Sequence, residues 1–190
     1  MQEFEDLDFE KHLYIDCDGR FTKLETCIQH QKQRRIPNPG IWNKINNCVS
    51  KRKKLQYKTP LLPTLSHAEI KNIERLLPKK YGIPKDLYRY LTRVSREIII
   101  TDQHVICEIG ANILDKIIDI NEIDNNPLNK LNLKGVLIGR VNHKYDGYGN
   151  VIICLNKGLY YGTIWVEYDE YTNYEELCLE SFILNEFFNP

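Results

Sequence analysis

The run VIICL at Val151–Leu155 constrains the fold more than any other stretch of this chain. Its length suits a strand, and its unbroken apolarity is consistent with a sheet covered on its inner side. Gly135–Val141, just upstream, has the same buried character. Between them, Tyr145–Asn150 reads as a turn in which Gly147 and Gly149 allow backbone angles that other residues resist. Lys157–Tyr161 reads as a further turn. Thr163–Tyr168 then alternates, with Ile164, Val166 and Tyr168 against Thr163, Trp165 and Glu167, the period of a strand.

Helical signals precede these strands. Ser66-His67-Ala68-Glu69 fits a capping box, in which the Ser hydroxyl takes an exposed backbone N–H and the Glu reaches back. Ile70, Ile73, Leu76 and Leu77 then give one apolar face, which Pro78 ends. Ile83-Pro84 opens a second helix with Leu87, Tyr88, Leu91 and Val94 on its apolar side. Ile98–Ile100 and Val105–Ile109 read as strands, Asn112–Ile120 as a helix, and 121–132 as a polar loop. A helix with Phe182, Ile183, Phe187 and Phe188 closes the sequence.

Upstream, Asp18-Gly19 between two aromatic and β-branched runs signals a hairpin. A polar helix over about 22–35 runs into Pro37, Pro39 and Gly40. A second helix over 41–54 has one apolar edge of Trp42, Ile45 and Val49. The Pro-punctuated KTPLLPTL reads as a linker, placing the main boundary near 58–65. The expected organisation is an N-terminal extension over 1–65, a hairpin plus short basic helices, and an α+β domain over 66–190.

The formal net charge is zero, but the charge is segregated. Residues 1–25 carry eight acids and three bases. Residues 26–67 carry nine Lys or Arg and no acid. Beyond Lys157 there are seven acids and no base. Such clustering creates local fields, either satisfied within the molecule or used on a partner. The six cysteines are scattered without a CxxC pair, and the acidic N-terminus is unlike a signal peptide. Both point to an intracellular, soluble protein with reduced thiols. No run approaches the length of a membrane span.

Taken in order, IKNIERLLPKKYGIPKDLYRYL (70–91), GVLIGR (135–140), DGYGN (146–150), VIICL (151–155), GTIWVEYDEY (162–171) and the Ser181-Phe182 helix resemble the SUKH superfamily. That superfamily includes cell-wall assembly regulators, toxin-immunity proteins and proteins of large DNA viruses. The resemblance covers 66–190. It implies an α+β fold, a mixed or antiparallel sheet flanked by helices, with protein binding as the shared theme and no catalytic residue set to carry over. This chain departs from the family's pattern at VSREIII, where an Asn-Gly turn is usual, and in the wide spacing of Phe182 and Phe187.

No Walker, Rossmann or G-x-S-x-G motif is present. The expectation is a non-enzymatic binding module with no cofactor, no metal and a protein partner, its oligomeric state left open. The dense aromatic group near the acidic end supplies candidate contact residues: Tyr160, Tyr161, Trp165, Tyr168, Asp169 and Tyr171. The alternative is association with nucleic acid through the basic segment 26–65, using Arg34, Arg35, Lys51, Arg52, Lys53 and Lys54, with Trp42 and Tyr57 near enough to stack on bases. A zinc site from Cys17, Cys27, His30 and Cys48 lacks paired-ligand spacing.

Overall fold

The computed structural model describes residues 14–15, 19, 21–36, 38, 40–99, 106–120, 132–143, 147–168 and 172–188. The chain divides into two compact units, Met1–Pro37 and Asn38–Pro190.

In the first unit, strands β1 (Tyr14–Ile15) and β2 (Phe21–Thr22) pair antiparallel. Gly19 between them has φ +76, the left-handed region that glycine enters without a Cβ clash. Helix α1 (Leu24–Arg34) follows, with Leu24, Cys27 and Ile28 buried.

The second unit opens with α2 (Ile41–Tyr57), earlier than the boundary expected from sequence. Trp42, Ile45 and Val49 recur at helical spacing and are all fully buried in the main core. The expected linker is held as well. The Glu97 carboxylate accepts from Lys53 Nζ at 2.5 Å and from the Leu62 backbone N–H at 3.1 Å. Ser95 Oγ donates to the Leu62 carbonyl, and Arg96 N–H donates to the Pro63 carbonyl. The prolines of KTPLLPTL therefore shape a fixed strap, not a boundary. The reason is a buried carboxylate 35 residues downstream, which local composition does not reveal.

Helix α3 (His67–Leu76) starts at the expected capping box: Ser66 accepts from the Glu69 N–H and Glu69 accepts from the Ser66 N–H. Ile70, Ile73 and Leu77 are buried, but Leu76 is 47% exposed. Helix α4 (Lys85–Arg93) follows, with Pro84 as its N-cap. Strands β3 (Glu97–Ile99) and β4 (Ile106–Glu108) pair antiparallel.

The segment expected as a helix over 112–120 divides instead. A 3-10 turn spans Ala111–Lys116, and Ile117–Ile120 forms β5. β-Branched Ile117, Ile118 and Ile120 favour extended backbone, and pairing with β6 supplies the hydrogen bonds a helix would have made internally. Strands β6 (Leu133–His143), β7 (Gly147–Cys154), β8 (Ile164–Glu167) and β9 (Thr172–Glu176) complete a five-stranded antiparallel sheet in the order β5-β6-β7-β8-β9. Helix α5 (Leu179–Phe188) ends the described chain.

Two strand assignments exceed the sequence reading. Gly147–Asn150 belongs to β7 and not to a turn, paired with Arg140–His143. β9 is polar in composition, so its alternation of buried Thr172 and Tyr174 with half-buried Asn173 and Glu175 carries little apolar signal. The core joins the inner sheet residues Val136, Ile138, Val151, Ile153, Ile164 and Val166 to the buried sides of α2, α3, α4 and α5. The second unit is thus an α+β fold.

Candidate partner-binding face

Strand pairing brings Arg140, Asn150 and Glu167 into one row across three strands, with Arg140 opposite Asn150 and Asn150 opposite Glu167. Arg140 Nε donates to Asn150 Oδ1 at 3.0 Å, and Asn150 Nδ2 donates to Glu167 Oε2 at 3.3 Å. The row lies on the outer face, because the residues that alternate with it, Val151 and Val166, face the core. Tyr148, two residues before Asn150, shares that face and is 60% exposed. With Tyr168 these residues line a cleft of about 410 Å³.

On the inner side of the sheet, beneath this row, Gly149 leaves room for Val166 and Tyr168. A Cβ on Gly149 would lie 2.3 Å from Val166 Cγ1 and 2.9 Å from Tyr168 Cε1, so only glycine lets β7 approach β8 this closely here.

The aromatic residues expected to form one contact surface separate. Trp165 is fully buried. Its ring is 5.8 Å from Tyr174 at 73° and 6.1 Å from Tyr160 at 56°, and Nε1 donates to Thr163 Oγ1 at 2.8 Å. Trp165 therefore holds the far end of this face together and does not meet a partner, a correction to its expected role. Tyr160 is half-buried against it. Tyr161 is half-buried over Gly82, and burial together with the Glu74 charge pushes its phenol up to about 12. Tyr168 is 6% exposed and packs with the core, so it offers only an edge to the cleft. Asp169 and Tyr171 lie outside the described residues. Tyr148 and Asn150 escaped the sequence reading because the segment DGYGN looks like a turn, and Arg140 because it lies in a run read as a buried strand.

The basic candidates also separate. Arg34 and Arg35 end α1 in the first unit, whereas Lys51, Arg52, Lys53 and Lys54 lie on α2 in the second. Lys53 is buried against Glu97 and leaves the nucleic-acid set; Trp42 is buried too and cannot stack on a base. Lys44, Lys51, Lys54 and Lys58 are exposed, and their spacing puts them on the side of α2 opposite Trp42 and Val49. Arg52 is half-buried.

Cys27, Cys154 and Cys178 are buried thiols, and Cys48 is a half-buried one. Of the zinc candidates, Cys17 lies outside the described residues, and among those described no group of three metal-ligating side chains is assembled. Among the described residues no helix is long and apolar enough to cross a membrane.

No protein-family profile matches this sequence, and no curated protein or solved structure matches it.

Proposed function

We propose that this chain is a non-enzymatic protein-binding module of SUKH type, immunity or regulatory in character, which holds its partner on the outer sheet face around Arg140, Tyr148, Asn150 and Glu167. The observation that carries the reading is the hydrogen-bonded row beside an exposed tyrosine. Arg and Tyr side chains dominate binding energy at protein interfaces, and a row already fixed by Asn150 loses little freedom when a partner docks. Among the described residues the cleft is lined by Arg140, Tyr148, Asn150, Glu167 and Tyr168, charged, amide and phenol groups suited to recognition. The element order that suggested SUKH also supports it: two helices about a proline connector, then antiparallel strands and a closing helix.

The test is a crosslinking pull-down from the native cell with the full chain and with R140E and Y148A variants. A protein retained by the full chain, lost with both variants, and reconstituted from purified components supports the reading. An identical set of captured proteins with all three baits rejects it, as does hydrolytic turnover abolished by one substitution.

A second reading rests on the exposed lysine face of α2, a helix that contains no acid. Nucleic acid held there would bind with an affinity falling steeply as salt rises. No retention of the chain on DNA or RNA columns at low salt removes it.

A further inference from the structure

A second surface lies on α4, sharing no residue with the sheet-face cleft. Lys85, Arg89 and Arg93 follow one another at four-residue intervals along the solvent side of this helix, opposite buried Leu87 and Leu91. His67, at the start of α3, stacks on Tyr88 with ring centroids 5.6 Å apart at 21°, and its Nδ1 is hydrogen-bonded to the Tyr88 hydroxyl. With Thr92 these residues line a groove of about 440 Å³ whose exposed lining is mainly apolar. The Tyr88 ring, and long basic side chains whose aliphatic stems are apolar, are among the groups that line it. Asp86 lies 3.9 Å from Arg89 in this row. Lys85 and Arg93 have no ion-pair partner among the described residues.

We infer that this groove binds an extended acidic peptide segment of a partner protein, with carboxylates at alternate positions. The geometry sets the spacing. Successive basic residues on one helix face stand about 6 Å apart along the axis, because each residue rises about 1.5 Å. Alternate side chains of an extended strand are about 6.6 Å apart, so an acid at every second residue meets Lys85, Arg89 and Arg93 in turn. An isolated phosphate fits less well. The adjacent α3 N-terminus, where an anion would otherwise be drawn, is already capped by Ser66 and carries the Glu69 carboxylate. The mainly apolar lining further favours a chain with side chains to bury over a compact anion.

The experiment uses the full chain and a fluorescent peptide of alternating Glu and Thr, read by anisotropy at about 0.05 M and 0.15 M salt. A peptide of the same composition with its glutamates in one block, and a single-stranded oligonucleotide of equal charge, serve as competitors. Binding of the alternating peptide at both salts, at least about tenfold tighter than either competitor and weakened at least about tenfold by K85E/R93E, supports the inference. Lys85 and Arg93 are exposed, so the double variant is expected to keep the wild-type melting temperature. Equal affinity for the block peptide, preference for the oligonucleotide, or binding unchanged in K85E/R93E overturns it. The R140E and Y148A variants retain peptide binding if the two surfaces are separate, so failure of one proposal is distinguishable from failure of the other.

Discussion

Lys53 Nζ lies 2.5 Å from Glu97 Oε1, with the two side chains only 6% and 5% exposed. The pair joins α2 to β3 through the interior. The second Glu97 oxygen holds the Leu62 N–H, and the Tyr90 hydroxyl donates to the Glu97 carbonyl at 3.0 Å. A charge buried this deeply is tolerable only because its partner and its hydrogen bonds are in place.

Removing either charge alone should therefore be costly. Lys53→Met leaves a buried carboxylate unpaired, and Glu97→Gln leaves a buried ammonium. Each is expected to lower stability by about 3–5 kcal/mol in denaturant unfolding. The double variant should lose less than the sum of the two. Additive losses would show that the pair is not coupled.

The same pair sets where the domain begins. A fragment over 38–190 should unfold cooperatively and close to the full chain. A fragment over 66–190 lacks Trp42, Ile45, Val49 and Lys53, exposing the core they cover and orphaning Glu97. It should show weak dispersion in proton NMR and no sharp melting transition. Trp42→Ala in the longer fragment should cost about 3–5 kcal/mol, the range for truncating a large aromatic core side chain. A well-folded 66–190 fragment would refute this.

Gly149→Ala tests the close approach of β7 to β8. The added methyl must displace Val166 and Tyr168, at an expected cost of about 1–3 kcal/mol of stability. Val166→Ala in the same chain should recover part of that loss by making room. Failure of the second change to help would mean that the strain lies elsewhere.

Glu176 gives a pH signature. Burial raises its carboxyl above the ordinary carboxylate value, opposed in part by hydrogen bonds from the Leu177 N–H and the Asn185 amide. Folding therefore favours the protonated form. The contribution of this group is greatest below the ordinary carboxylate range and is lost as pH rises through the raised value. Glu176→Gln should thus stabilise the protein at pH 7 and make little difference near pH 4. Thermal melts of both proteins across that interval measure it, and a gain that is independent of pH would exclude the desolvation account.

Much of the local structure was legible in the residues themselves. Ser66 and Glu69 announced α3, Gly19 the first hairpin, and the spacing of Trp42, Ile45 and Val49 the buried side of α2. The alternation of Ile164, Val166 and Tyr168 announced the inner face of β8. These depend on backbone geometry and short-range periodicity, which a sequence carries directly. Ile117–Ile120 and Thr172–Glu176 were less legible. Their extended form depends on a neighbouring strand: β6 for the first and β8 for the second.

Residue order alone was enough to read an α+β domain, its principal helices and inner strands, and the segregation of its charge. Where the second unit starts, which aromatic residues remain available and which basic residues reach solvent came instead from packing between distant segments. Trp165 and Tyr148 are both aromatic residues on the outer face of one sheet, yet one is sealed and the other open. Lys53 and Lys54 are adjacent lysines on one helix, yet one meets Glu97 and the other meets water. In each pair the residue type is the same or similar. What differs is the long-range neighbour, and that is fixed by packing and not by local order along the chain.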